Sequence, residues 1–73
     1  MPAASTEFGD LAVRLTAARR ELGLTQSELA TRAGVKLDTL RSIEQGKTRN
    51  PGILTVLRLA EELNVTLDSL VRP

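Results

Sequence analysis

The 73-residue chain contains no cysteine and no histidine. These absences exclude disulfides, a cysteine nucleophile, a histidine general base and the commonest zinc sites, so we expect neither metal nor cofactor. No stretch approaches the roughly 18 apolar residues of a membrane helix, and the first ten residues lack the basic start and apolar run of a secretory signal. A chain without cysteine also suits a reducing compartment. We therefore expect a cytoplasmic protein.

The chain is too short for a large substrate cleft. A domain of this size buries only about 60% of the surface that its unfolded chain exposes, and without cysteine or histidine a catalytic site would need a carboxylate or a Ser–Lys pair. We therefore expect a protein that is not an enzyme. Hydrophobic residues at 41% and charged residues at 26% are ordinary globular values. The sequence predicts a flexible tail over residues 1–5 and one domain over residues 6–73.

The net charge of +1 conceals an uneven distribution of charge. Residues 11–49 contain eight basic and four acidic side chains, whereas both flanking segments carry a net negative charge. Such a concentration can meet a polyanion, although a solvated charged surface looks the same in sequence.

Apolar residues at steps of three and four predict helices over residues 7–22, 26–33, 37–45 and 53–63, with a last turn over 67–71. Ser5 or Thr6 is expected to cap the first helix, and Thr25 with Glu28 fits a capping box at the start of the second. Thr66 is expected to cap the last turn. The expected helix ends are Gly23, Gly34, Gly46 and Asn64. No segment has the alternation of a strand, so the fold class is all-α.

The expected inward faces follow the same spacing. In the first helix the apolar stripe begins at Phe8, and in the third Leu40 and Ile43 point inward. The buried side of the fourth helix is predicted to contain Ile53, Val56, Leu57, Ala60 and Leu63. A small patch outside that stripe is a candidate two-fold interface, although scattered surface leucines are common; it consists of Leu54, Leu59, Leu67 and Val71.

Only residues 34–36 separate the second and third helices, and two short helices joined this tightly through a glycine suggest a helix-turn-helix. The residues GLTQSELA at 23–30, AGV at 33–35 and IEQGK at 43–47 resemble the lambda-repressor/Cro-type helix-turn-helix family, also called XRE. The resemblance covers about residues 8–71. It implies a five-helix lambda-repressor-like bundle that binds double-stranded DNA operators, usually as a homodimer on an inverted repeat.

The resemblance places the third helix, residues 37–45, in the major groove as the recognition helix. The implied base-reading positions are Gln26, Leu37, Asp38, Thr39, Arg41 and Ser42. Three of them leave alternatives open. Asp38 could accept from a cytosine amino group or only favour the dipole at its helix start, and Leu37 could touch a thymine methyl or fold onto the core. Arg41 could read guanine, reach a phosphate or pair with Asp38.

A second set of residues is implied to grip the DNA backbone without reading sequence. It consists of Thr25, Gln26, Lys36, Lys47, Thr48, Arg49 and Asn50, with the loop amides also available. Lys36 departs from the family, which usually has Ser or Thr as the helix cap there. The resemblance further implies a structural ion pair between Arg19 and Glu44, which would keep Glu44 away from DNA.

These features predict a sequence-specific DNA-binding transcriptional regulator, acting mainly as a repressor by occupying its operator and associated with the nucleoid when bound. The alternative is a protein-interaction module, such as an antitoxin or an adaptor, that uses the same fold. The central basic excess argues against that alternative.

Overall fold

The structure, a computed structural model, describes residues 10–48 and 51–71. Within these ranges the chain forms five α-helices and no strand: α1 (Leu11–Glu21), α2 (Gln26–Ala33), α3 (Leu37–Glu44), α4 (Ile53–Leu63) and α5 (Leu67–Val71). The expected all-α fold is confirmed, and the predicted bounds of α2, α4 and α5 agree with those observed. The prediction for α3 was one residue too long. None of these helices has the length and hydropathy needed to cross a membrane.

The first helix begins at Leu11, later than the predicted start at residue 7, and the preceding Asp10 makes no side-chain cap. The proposed caps Ser5 and Thr6, the apolar Phe8 and the tail over residues 1–5 lie outside the described residues. At its other end α1 stops at Glu21, and Gly23 follows in the left-handed region with φ of 71°. The expected stop at this glycine is confirmed.

The core lies where the helices meet: α1 packs against α3 and α5, α2 against α3 and α4, and α4 against α5. Each helix contributes at least one side chain that is almost fully buried, which stabilises the fold by about 1.5–3 kcal/mol per large apolar residue. The largest of these side chains are Leu15, Leu29, Leu40, Ile43, Val56, Leu59 and Leu70.

The inward face of α4 differs from the predicted one. Ile53 and Leu57 are 57% and 38% exposed, whereas Leu59 is completely buried. The buried stripe is Val56, Leu59, Ala60 and Leu63. Both this stripe and the predicted one step by three and four, because α4 carries leucine or isoleucine on most of its circumference. Helical spacing alone therefore could not choose between them, and packing against α2 and α5 does.

The turn between α2 and α3 depends on Gly34, which closes α2 in the left-handed conformation with φ of 72°. The amide of Val35 then donates to the carbonyl oxygen of Ala30 at 3.0 Å, and the Val35 side chain packs against the core. This is a Schellman-type helix end. It sets the direction in which the chain enters α3.

We expect Gly34→Ala to lower the free energy of unfolding by about 1–2 kcal/mol, because an L-residue with a Cβ is strained in the left-handed region. A Cβ at this position would meet no atom of the surrounding residues within 4 Å, so the loss comes from the local backbone conformation alone. Gly34→Asn is the matched control, since asparagine tolerates this conformation and Asn64 adopts it here with φ of 59°. Urea unfolding of the three proteins measures the difference, and equal losses for alanine and asparagine would contradict this account.

Candidate nucleic-acid interface

A polar face runs along α3 on the side opposite its two anchors. Leu40 and Ile43 are 0% and 1% exposed and fix one side of the helix in the core. At 3.6 residues per turn the opposite side contains Asp38, Arg41, Ser42 and Gln45. Asp38, Arg41 and Gln45 are exposed, and Ser42 is half-buried. The helix therefore presents a row of hydrogen-bonding groups to solvent.

Two of the predicted base-reading residues lie at the edges of this face. Thr39 is half-buried on one edge, where it lines a shallow groove together with Ser42 and Thr48. Leu37 is half-buried on the other side and packs against the core. The structure thus favours the second of the two roles considered for Leu37, and its side chain is not part of the exposed row.

The loop after α3 turns back onto the helix. The backbone amides of Lys47 and Thr48 both donate to the carbonyl oxygen of Ser42, at 2.9 and 3.4 Å. The expectation that the loop amides are available to phosphate is therefore wrong for these two, because both satisfy the end of α3 instead. The Lys47 side chain is exposed and that of Thr48 is half-buried. Arg49 and Asn50 lie outside the described residues.

The start of α2 has the capping box that the sequence predicts. Thr25 Oγ1 accepts from the amide of Glu28 at 3.0 Å, and Glu28 Oε1 accepts from the amide of Thr25 at 2.8 Å. The hydrogen bond from the Thr25 amide is the largest cause of the lowered pKa of the Glu28 carboxyl. The Thr25 hydroxyl accepts in this box, so its own proton remains available to an anionic ligand.

A buried ion pair joins α1 to α3. Arg19 Nε donates to Glu44 Oε2 at 2.7 Å, and Arg19 Nη2 donates to Glu44 Oε1 at 2.9 Å. The side chains are only 10% and 5% exposed. Arg19 Nη1 also donates to the carbonyl oxygen of Leu24 at 2.7 Å. The pair implied by the resemblance is therefore present, and it ties α3 to α1 and to the turn before α2.

Gln26 belongs to the same network, which sequence reasoning did not anticipate. Its Nε2 donates to Glu44 Oε1 at 2.9 Å. This bond holds the amide in place while its carbonyl oxygen and second N–H remain free for a ligand. Glu44 is thus an acceptor from α1 and α2 at once, and it connects the start of α2 to the end of α3.

The pKa values of the ion pair follow from these contacts. Burial acts to raise the pKa of Glu44, but hydrogen bonds from Arg19 and Gln26 and the charge of Arg19 outweigh it, so the pKa lies below its ordinary value. The hydrogen bond to Glu44 raises the pKa of Arg19. Both groups are therefore charged at neutral pH, and the network is a permanent structural element there.

Charged groups surround the row on α3. Lys36 is exposed and makes no side-chain cap at the start of α3. Asp38 Oδ1 lies 3.8 Å from Arg41 Nη1, and the two side chains are 95% and 53% exposed. Of the three roles considered for Arg41, the structure shows the loose pairing with Asp38.

Two exposed residues that the sequence analysis did not assign to the site lie on or beside the polar face of α3. Gln45 lies on the same face as Asp38 and Ser42, seven and three positions away, and helical spacing could have found it. Arg20 is exposed and lines a depression together with Gln26 and Gln45. The resemblance had already separated Arg20 from its neighbour Arg19, because it implied the Arg19–Glu44 pair, and Arg19 is indeed buried.

The predicted two-fold patch is only partly exposed. Leu59 is completely buried, so its assignment to an interface was wrong. Leu67 and Val71 are half-buried and pack against the core. Leu54 is 56% exposed, and Ile53 and Leu57 extend the exposed apolar surface of α4 next to it. We call Ile53, Leu54 and Leu57 the α4 patch.

Comparison with known proteins identifies the family. The model of a helix-turn-helix family matches residues 15–70. An uncharacterised HTH-type transcriptional regulator of Sinorhizobium fredii, y4dJ, is 46% identical over 55 residues, which cover 75% of this chain and 70% of that protein.

Two solved structures of SinR have the same fold. The N-terminal DNA-binding domain of SinR from Bacillus subtilis superposes with a TM-score of 0.83 at 33% identity, covering 86% of this chain and 91% of that one. SinR, the master regulator for biofilm formation, in complex with DNA gives a TM-score of 0.80 at 35% identity, covering 82% and 95%. The chain belongs to the Cro/C1-type helix-turn-helix family of DNA-binding transcriptional regulators, also called XRE.

Proposed function

We propose that this chain binds double-stranded DNA sequence-specifically, with α3 in the major groove, and that it represses transcription by occupying an inverted-repeat operator as a homodimer. The observation that carries the proposal is the exposed polar face of α3, which stands opposite the buried Leu40 and Ile43. A major groove about 12 Å wide admits one helix. SinR, which this chain resembles, has been solved in complex with DNA.

The roles of the individual residues follow from their chemistry. Asp38, Thr39, Arg41 and Ser42 are proposed to reach base edges, and the Gln26 amide is proposed to act from the start of α2. Around them Thr25, Lys36, Lys47 and Thr48 are proposed to contact phosphates through hydroxyl or ammonium groups, together with Arg49 and Asn50. Phosphate contacts supply affinity and register, and base contacts supply sequence preference.

Selection from random duplex DNA tests this proposal. We expect an enriched inverted repeat whose half-sites lie about one helical turn, roughly 34 Å, apart. Enrichment of a single half-site without an inverted repeat would overturn the proposed homodimer. Absence of both enrichment and salt-sensitive DNA binding would overturn the proposed function and would favour the protein-interaction module.

Variants of a residue proposed to contact phosphates and of a residue proposed to contact bases should behave differently. We expect Lys47→Ala to weaken binding to all duplexes about equally and to reduce the slope of log K against log salt by about one, because one phosphate contact is lost. Thr39→Ala should leave that slope unchanged and relax preference at one base pair. Anisotropy titrations at four salt concentrations, on the selected site and on single-pair variants of it, measure both effects. Identical behaviour of the two variants would contradict the division of roles.

The homodimer is proposed to form through the α4 patch. Burial of a leucine side chain is worth about 1.5–3 kcal/mol, and a carboxylate in its place would meet its own copy across a two-fold axis. We therefore expect Leu54→Glu to raise the dimer dissociation constant about tenfold or more without loss of helicity. Sedimentation equilibrium measures the constant, with Glu62→Gln on the same helix as control. An unchanged constant would exclude this surface as the interface.

Repression needs a separate test. A selected site placed across a promoter should reduce transcription by purified polymerase when the protein is added, because occupied DNA excludes the polymerase. A site placed upstream should have no such effect. Stimulation from either position would contradict repression while leaving DNA binding intact.

A further inference from the structure

Asp38 and Arg41 form an unusual pair for a surface that is proposed to meet a polyanion. The more exposed of the two side chains is the acidic one. The Asp38 side chain is 95% exposed and lies in the first turn of α3, and Arg41 follows one turn later. Phosphates repel a carboxylate at this position. If the Asp38–Arg41 pair only stabilised the fold, it could equally well lie on a helix that does not face DNA.

The geometry of the pair leaves both groups able to bind a ligand. The 3.8 Å between Arg41 Nη1 and Asp38 Oδ1 is too long for a hydrogen bond. Within residues 10–48 and 51–71 neither side chain makes any other hydrogen bond or ion pair. Exposed ion pairs are weak, so Arg41 can swing from Asp38 to a base at little cost. Asp38 in turn keeps two acceptor oxygens.

A guanine and a cytosine in the major groove satisfy both groups without placing an acceptor against the carboxylate. Guanine presents two acceptors, N7 and O6, which match the guanidinium, and cytosine presents only a donor, its N4 amino group, which matches a carboxylate. Thymine O4 is an acceptor, and a carboxylate oxygen placed against it would be repelled. Residues three apart on a helix are separated by about 4.5 Å along its axis, close to the 3.4 Å rise of one base pair.

We propose that Asp38 and Arg41 are a paired specificity determinant that selects a cytosine and a guanine at the same or at adjacent base pairs in each operator half-site. This inference rests on the proposed function and names the class of DNA that the protein takes. Asp38 acts mainly by exclusion: it penalises base edges that present an acceptor, which cytosine alone lacks, and Arg41 offsets its charge so that the pair enters the groove nearly neutral.

The test compares selected sequences rather than affinity alone. Wild type, Asp38→Asn, Asp38→Ala and Arg41→Ala are each used for selection from random duplex DNA, and the winning sites are titrated with all four base pairs at the affected positions. We expect Asp38→Asn to shift the preference from cytosine toward adenine, because asparagine bonds adenine N6 and N7. We expect Asp38→Ala to lose the cytosine preference and Arg41→Ala to lose the guanine preference, each by about 5- to 150-fold.

The affinity for non-specific DNA is a second measurement, and it would not change if Asp38 only stabilised the fold. Asp38→Asn should bind non-specific DNA more tightly than wild type, because one repulsive charge is removed from the groove. The ratio of its affinities for selected and for non-specific DNA should therefore fall. The control is Glu62→Gln, which removes an exposed carboxylate from α4 and should leave the base preference unchanged.

The outcomes separate this inference from the function on which it rests. If wild type enriches no site, the proposed function fails. If wild type enriches an inverted repeat and both Asp38 variants select the same repeat, DNA binding stands and the paired determinant is overturned. A wild-type half-site without a cytosine and guanine at the same or adjacent pairs overturns it as well.

Discussion

Glu44→Ala is expected to lower the free energy of unfolding by about 3–5 kcal/mol, since removal of one partner leaves a buried charge without compensation. The Arg19 side chain, 10% exposed, would keep only its bond to the Leu24 carbonyl oxygen, and the Gln26 amide would lose its acceptor. Small domains are stable by about 5–15 kcal/mol. The melting temperature, followed by circular dichroism, should therefore fall by more than about 10 °C.

A double variant separates the charge penalty from the loss of packing. Replacement of a buried ion pair by apolar residues of similar size is often neutral or stabilising, so Arg19→Met with Glu44→Leu should recover most of the stability lost in Glu44→Ala. If the double variant is as unstable as the single one, the unpaired arginine is not the cause. If Glu44→Ala is as stable as wild type, the network contributes nothing.

The sign of the pH dependence follows from the lowered pKa of Glu44. Hydrogen bonds from Arg19 and Gln26 favour the charged carboxylate in the folded state, so the pKa lies below its ordinary value of 4.5. The unfolded chain therefore binds the proton more readily, and the contribution of Glu44 is complete above pH 4.5 and is lost as the pH falls through the folded-state pKa. Glu44→Gln should flatten the acid limb of stability against pH, and an unchanged limb would contradict the assignment.

The helices could be predicted from the sequence where their ends have local chemistry. Thr25 and Glu28 form a capping box within four residues, and Gly34 and Asn64 adopt the left-handed conformation that ends a helix. Such signals do not depend on the rest of the fold, so α2 and α4 were predicted at their observed bounds. The exposed side of α3 followed from its two apolar anchors, since Leu40 and Ile43 leave only one polar face.

Features that depend on the meeting of distant segments could not be predicted in this way. Gln26 reaches Glu44 across 18 positions of sequence, and no spacing rule brings those two side chains together. The amides of Lys47 and Thr48 are used inside the loop, which depends on how the chain leaves α3. On α4 two stripes have equal helical spacing, and only the neighbouring helices select one of them.

Truncation of Leu59 is the second substitution expected to lower the free energy of unfolding strongly. Its side chain is 0% exposed at the centre of the core, and truncation of a buried leucine costs about 2–5 kcal/mol because transfer energy is lost and a cavity remains. We expect Leu59→Ala to lower the free energy of unfolding by that amount. Leu54→Ala on the same helix removes the same atoms from a side chain that is 56% exposed, so it should change stability by less than about 0.5 kcal/mol.

The same two variants distinguish the faces of α4 in solution. Urea unfolding, at a protein concentration below the dimer dissociation constant, measures the stability of the monomer. Under those conditions Leu59→Ala should unfold at lower urea and Leu54→Ala should follow wild type, whereas at high concentration Leu54→Ala should lose the added stability that self-association confers. If Leu59→Ala leaves the monomer as stable as wild type, Leu59 is not in the core. The stripe predicted from the sequence, Ile53, Val56, Leu57, Ala60 and Leu63, would then face inward.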